Sequence, residues 1–347
     1  MKQVTVVNRI IGPNQPIFII AEIGGNYETI EQAKKMIDYT KDAGADAIKL
    51  QTYFADKIAQ PQSRFEVKGL GEIDQYQVCK KFEVNKESHQ QIFDYARENG
   101  MIIFSTPSCR ETTDFLEELG TDAYKTGAAE ITNIPLLKYI ARKGKPIFMS
   151  TGISTMTEIS MAIEAIKEEG NKDILLFQTT SIYPNDPKDA NLRVMEMYKL
   201  AFSVPVGFSD HTADIYTPIA AAAIGANMIE KHFCLSRNDP GTDTFFALEP
   251  NEFREMCKGI RIAEAALGSA EKKILDGEKK TAKGFRKSFI AWRDIKKGEV
   301  LTENNTIVKR PGKGIWPQHY EAILGAKVNK DIAKDDFIRW KDITERT

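Results

Sequence analysis

The chain has 347 residues, 42% of them hydrophobic, with a formal net charge of −1, so it holds one large domain and a small one, or two medium ones. The near-zero charge gives no electrostatic footprint for nucleic acid or an acidic membrane surface, and no apolar run is long enough to span a bilayer. The start MKQVTVVNRIIGPNQPIFII lacks the pattern of a signal peptide, and Cys79, Cys109, Cys234 and Cys257 show no paired spacing, so a cytoplasmic protein with reduced, packing thiols is expected.

From residue 17 one unit repeats: a short β-rich run, a turn, then an amphipathic helix pattern. The runs are IFIIAE (17–22), DAIKLQ (46–51), MIIFST (101–106), DAYKTG (122–127), PIFMST (146–151), DILLFQ (173–178), PVGFS (205–209) and NMIEKH (227–232). Helix-like stretches such as TIEQAKKMIDYTKDAG, ESHQQIFDYARENG and TEISMAIEAIKEEG lie between them, each closed by a glycine. Continuously apolar runs alternating with helices predict a parallel sheet covered by helices. Eight such units over about 250 residues predict a (β/α)8 barrel. The alternative, an open doubly wound sheet, calls for a glycine-rich phosphate fingerprint after its first strand, and AEIGGNY is not one.

Each run ends in polar residues: Glu22, Lys49 with Gln51, Thr106, Lys125, Ser150 with Thr151, Gln178, Ser209 with His211, and Glu230 with Lys231 and His232. In this barrel the C-terminal strand ends converge on one mouth, where active sites form. Three lysines, two glutamates and two histidines are more than solvation calls for. Either histidine alone reads as a hydrogen-bonded structural residue. The pair, on neighbouring strands, reads as two ligands of a divalent metal. His89 and His319 receive no role.

After residue 268 the texture changes. GSAEKKILDGEKKTAKGFRKS is charged and has no core pattern, so it reads as a linker, and the remainder carries short β-like runs separated by turn signals such as KKGE and RPGKG. The expected organisation is a barrel over residues 1–270, a linker over 271–287 and a small β-rich domain over 288–347. Fully extended, Leu275 to Arg286 spans roughly 40 Å, enough to reach across a dimer interface.

In order and spacing, FIIAEIGGN, AGADAIKLQTY, FSTP, AYKTGAAEITNIPLL, KPIFMSTGIS, GFSDHT, IEKHF, DPGTD, ALEP and VKRPGKGI resemble the sialic acid synthase family over nearly the whole chain. The resemblance implies a TIM barrel followed by an antifreeze-like, β-clip domain, and condensation of phosphoenolpyruvate with an N-acetylmannosamine-type sugar to a nine-carbon 2-keto acid with release of phosphate. It also implies Mn2+ or Mg2+ on His211 and His232, and a domain-swapped homodimer. Lys125, Ser150, Tyr183 and Ser209 match positions that hold phosphoenolpyruvate. Glu22, Lys49, Thr106 and Asp243 match positions near the sugar, and Glu130 and Glu230 match acidic residues of the site. Glu22, Glu130 and Glu230 are the candidates for water positioning or proton transfer. Arg310 matches an arginine sent across the dimer to the sugar's N-acyl group. This chain departs from the family pattern at Tyr27, Ser108, Ala128, Ser181, Thr244 and Phe245. The departures fall mainly on the sugar side, which leaves open N-acetylmannosamine or a 6-deoxy diacetamido hexose leading to legionaminic- or pseudaminic-type acids. Two further readings are a pyruvate-dependent barrel aldolase and a non-catalytic glycan-binding protein. The second of these predicts loss of Lys125, His211 and His232, all of which are present.

Overall fold

The eight apolar runs become eight parallel strands: β1 (Phe18–Glu22), β2 (Ala47–Thr52), β3 (Ile102–Pro107), β4 (Tyr124–Thr126), β5 (Ile147–Ser150), β6 (Ile174–Thr179), β7 (Val206–Asp210) and β8 (Met228–His232). They pair in chain order, and β8 pairs back onto β1, closing a (β/α)8 barrel. These features belong to a computed structural model that describes residues 2–67 and 71–344. It divides into two units, Met1–Gly268 and Ser269–Thr347. Among the described residues no helix is long and apolar enough to cross a membrane.

Strand parity explains why the runs are apolar throughout. Outward residues such as Ile19, Ile48, Ile103, Leu176 and Ile229 pack beneath the helices, against Met36, Phe93, Leu137, Ile163 and Phe253. Inward residues fill the barrel: Phe18, Ile20, Ala47, Phe104, Phe148, Phe177 and Met228 form a second cluster. Both faces of each strand are therefore buried, which favours apolar residues at successive positions. The helices start and stop where the sequence marks them. Thr29 and Thr155 each make a reciprocal cap with the residue three positions on, and Gly44, Gly100 and Gly170 follow their helices at φ 95°, 73° and 86°, in the left-handed region that favours glycine.

Two parts of the first unit fall outside the repeat read from the sequence. An antiparallel hairpin, Val4–Val6 with Arg9–Ile11, places Val4, Val6 and Ile11 in the inner cluster with the first inward residues of the strands, closing the N-terminal end of the barrel. Between β2 and β3 the chain makes an excursion: a short helix Ala55–Ile58, a hairpin of Arg64–Val67 with Gly71–Asp74, and a helix Gln75–Phe82.

In the second unit, Asp276–Phe285 is a ten-residue helix with none of its residues buried. At 1.5 Å per residue it is about 15 Å long, so this segment is far shorter than the extended chain. Ser288–Ala291 pairs antiparallel with Thr306–Lys309, and isolated bridges join Ile290 to Phe337, Ile295 to Ile332 and Val328 to Ile343. The small core holds Phe289, Leu301, Ile315, Ile323, Val328 and Ile338.

Candidate active site

Parity places the polar strand ends. Along β1 the inward positions are Phe18, Ile20 and Glu22, and along β8 they are Met228, Glu230 and His232, with Met228 beside Phe18 and His232 beside Glu22. The barrel is thus apolar below and charged above. Phe148 stacks on Phe104 at 4.8 Å between ring centroids, and the Lys125 ammonium lies 5.4 Å from the Phe177 ring. Gly207, inward on β7, is a matter of space: a Cβ there would lie 2.2 Å from the Met228 carbonyl oxygen.

The layer above this floor is a buried network of opposite charges. Glu22 and Lys49 are register neighbours and form an ion pair. Lys125 Nζ donates to Glu230 Oε1 at 3.2 Å, Ser209 Oγ donates to the same oxygen at 2.9 Å, and Lys49 Nζ stands 3.9 Å from it. Gly24 N–H donates to Glu22 Oε1 at 2.6 Å. Lys49 and Lys125 are each 4% exposed, so neither is solvated as a surface lysine would be. Burial pushes the Glu22 carboxyl up to about 7, against the pull of Lys49. Burial also works to raise Glu230, but the Lys125 and Lys49 ammoniums together hold it below the ordinary carboxylate value. Burial pulls Lys125 down, opposed by Glu230, whereas Glu22 and Glu230 outweigh burial at Lys49 and hold it up. Two neighbouring carboxyls therefore differ in proton affinity, as an acid and a base in one site must.

Beside this network stand the two histidines, their ring centroids 5.4 Å apart. His211 Nδ1–H donates to the Thr180 carbonyl at 2.8 Å, which leaves Nε2 unprotonated and able to ligate a metal. His232 Nδ1 is buried without a hydrogen bond, and Asp243 Oδ2 lies 3.5 Å away. Burial holds His211 down to about 4. Burial and then His211 hold His232 well below its ordinary value, while burial lifts Asp243 to about 6. Two neutral imidazoles, one with its second nitrogen committed and the other with an orphaned nitrogen, fit a divalent transition metal. Among the described residues no cluster of three or more histidine, cysteine or acidic side chains forms a metal site. A metal bound there would meet two imidazole nitrogens from the chain. Phe246 backs both rings, at 6.0 Å from His211 and 4.9 Å from His232.

A cavity of about 570 Å³ opens above the network, within the range of small-molecule sites. Lys49, Thr106, Lys125, Glu130, Ser150, Tyr183, Ser209, His211, Glu230, His232 and Asp243 all line it. Glu22 lies beneath, reaching it through Lys49. Glu130 is half-buried at the edge, accepting from Asn133 Nδ2 at 2.6 Å, and burial raises its carboxyl. The mouth has two halves. Lys125, Ser150, Tyr183 and Ser209 stand on or just past the contiguous strands β4 to β7. Glu22, Lys49, Thr106 and Asp243 stand on or just past β8, β1, β2 and β3. Arg310 lies in the second unit, its guanidinium 4.4 Å from the Phe285 ring.

The structure corrects the reading of three polar strand ends. Lys231 is fully buried behind the wall, paired with Asp210 at 2.5 Å. Thr151 and Gln178 bond to the Phe177 and Ala190 carbonyls and do not line the cavity. Of the six departures, Ser108, Ala128, Ser181 and Phe245 line the cavity, and the Ser108 hydroxyl is buried without a hydrogen bond. Tyr27 packs between barrel and helices, and Thr244 Oγ1 donates to the Asp239 carbonyl. The sequence reading missed the wall supplied by the excursion, with Tyr53, Ile58, Ile73, Val78, Cys79 and Phe82. Its short segments carry no periodicity long enough to announce them.

Comparison with known proteins gives the family. Residues 36–272 match the NeuB family model and residues 286–344 the SAF domain model. The chain is 38% identical to the N,N'-diacetyllegionaminic acid synthase of Campylobacter jejuni over 92% of this chain and 98% of that protein. It is also 38% identical to a pseudaminic acid synthase of the same species, over 95% and 97%. The solved N-acetylneuraminic acid synthetase of Leptospira borgpetersenii superposes with a TM-score of 0.73 at 29% identity, covering 81% of this chain and 95% of that one. With a family model spanning most of the barrel and relatives matching from end to end, the chain belongs to the NeuB family, the sialic acid synthase family, and carries a C-terminal SAF domain.

Proposed function

We propose that the protein condenses phosphoenolpyruvate with an open-chain N-acylated amino hexose of the N-acetylmannosamine type, forming a nine-carbon 2-keto acid and releasing phosphate, and that it needs Mn2+ or Mg2+. The observation that carries this reading is the juxtaposition, at one barrel mouth, of two buried lysines, a buried carboxylate between them and a pair of neutral imidazoles.

Phosphoenolpyruvate carries a phosphate and a carboxylate, and the half of the mouth with Lys125, Ser150, Tyr183 and Ser209 supplies a compact cation and hydroxyl donors. The enol C3 forms a bond to the sugar's aldehyde carbon, whose oxygen takes a proton. Water adds at C2, the C2–O bond to phosphate breaks, and phosphate leaves with the electron pair. A divalent cation held by His211 and His232 supplies Lewis acidity toward the aldehyde oxygen when bound. The chain's own residues handle the protons. Glu22, held near 7, is poised to hold or give up a proton at neutral pH, and Glu230, held ionised, positions Lys125 and Ser209. Glu130, at the cavity edge, is a further candidate for positioning water. In solution the reading implies a homodimer in which Arg310 of one copy completes the sugar subsite of the other.

Lys125→Ala tests the assignment of the two halves. Losing a charged hydrogen-bond donor weakens phosphoenolpyruvate binding roughly 10- to 100-fold, with a much smaller change in binding of the sugar. Lys125→Arg is also impaired, because a planar fork does not replace a compact ammonium. Equal losses for both substrates would remove Lys125 from this role.

A further inference from the structure

Behind the wall of the mouth lies a closed ring of polar groups that the proposed chemistry does not use. Asp210, Thr212 and Lys231 are each 0% exposed. The Lys231 ammonium directs its three hydrogens to Asp210 Oδ2 at 2.5 Å, the Thr212 carbonyl at 2.5 Å and Thr212 Oγ1 at 3.3 Å. Thr212 donates from its N–H to Asp210 Oδ1 at 2.9 Å and from its hydroxyl to Asp210 Oδ2 at 2.8 Å. A buried ion pair adds little stability over apolar residues of the same volume, because both charges are taken out of water. What the ring does fix is position. The pairing of β7 with β8 ends at Asp210 and Lys231. His232 continues opposite Glu22 on β1, whereas His211 lies past the end of its strand. Two bonds tie His211 toward the β6 side, from its Nδ1–H to the Thr180 carbonyl and from the Asn185 N–H to its own carbonyl at 2.9 Å. Toward β8 the tie is the ring: Asp210 and Thr212 bracket His211 in the chain, and Lys231 precedes His232.

Resting on the metal reading above, we propose that Lys231, with Asp210 and Thr212, is a positioning residue that holds His211 at the distance from His232 that a divalent cation needs. The ammonium crosses from the residue before His232 to the carbonyl of the residue after His211, so the two histidine-bearing stretches of backbone move together. Without it the turn after β7 keeps its bonds toward β6 and loses those toward β8. The loss falls on the metal, because a ligand held from one side only drifts from its partner.

The experiment measures Mn2+ affinity by electron paramagnetic resonance, together with the melting temperature of the metal-free protein, in the full-length parent and in the Asp210→Asn/Lys231→Met double variant. That variant removes both charges at nearly constant volume, so it melts close to the parent. It binds Mn2+ about tenfold or more weakly. A role in stability alone predicts the reverse, a shifted melting temperature with unchanged Mn2+ affinity. Thr212→Val takes one hydroxyl from the ring and leaves the ion pair. It lowers Mn2+ affinity about threefold and stands in should the double variant not fold. Equal Mn2+ affinity in the parent and the folded variant overturns the inference and leaves the metal reading standing. A parent that binds no Mn2+ overturns both.

Discussion

Lys231 and Glu230 are adjacent in sequence and opposite in role, because a strand turns successive side chains to opposite faces. Glu230 faces the cavity and receives Lys125 and Ser209, whereas Lys231 faces the helices and is closed in with Asp210. The sequence shows that NMIEKH ends in charge. It does not show which charges face the mouth until the register is known, since a shift of one residue would exchange the two sets. The meeting of His211 and His232 at the mouth was legible because two histidines at neighbouring strand ends are rare in a chain with four. Their consequence is measurable without turnover. The expected result is Mn2+ binding by the parent protein, detected by electron paramagnetic resonance, with an affinity lowered at least about tenfold in His211→Ala or His232→Ala, since each would remove one of the two proposed protein ligands. Unchanged Mn2+ affinity in both variants would remove them from the metal site.

The elements themselves follow from patterns that repeat. Continuous apolar runs, helix caps and closing glycines place all eight strands to within a residue or two, because a barrel strand buried on both faces has little choice of composition. The N-terminal hairpin and the excursion were missed because three- and four-residue strands show no alternation to count. The helix Lys86–Glu98 illustrates an element whose buried polar residue is structural. His89 Nε2 meets Thr52 Oγ1 at 3.2 Å, and that hydroxyl meets Ser105 at 2.6 Å, tying the helix to β2 and β3. Burial holds His89 down to about 4, below its ordinary 6.5. Above pH 6.5 the group is neutral whether folded or unfolded. As pH falls from 6.5 toward 4, the unfolded chain takes up a proton that folded His89 refuses, so stability falls by up to roughly 3 kcal/mol. Denaturant unfolding at pH 7.5 and pH 5 tests this. His89→Asn loses less stability than the parent between the two pH values, and an identical loss in both proteins would contradict it.

At the scale of the whole molecule, the barrel and the SAF domain are each complete as folds, yet the proposed sugar subsite requires Arg310 from a second copy. His211→Ala chains have a dead barrel and a sound Arg310, and Arg310→Ala chains have the reverse. Each homodimer is impaired. Mixed dimers, formed by co-expression, rebuild one complete site and recover activity well above either parent. Verified mixed dimers without recovery would assign the arginine to its own chain or to no catalytic role. The length of the chain and its change of texture near residue 268 made the division into two parts readable. Whether copies pair is not readable in this way, because an exposed helix such as Asp276–Phe285 carries no mark of what lies beside it. The most direct test of the central claim is the stoichiometry of phosphate release. With phosphoenolpyruvate, Mn2+ and an N-acylated amino hexose, the protein releases one phosphate for each 2-keto acid formed. It releases none without the sugar and forms no keto acid when pyruvate replaces phosphoenolpyruvate. Keto acid formed from pyruvate, or phosphate released without any sugar, would contradict the account.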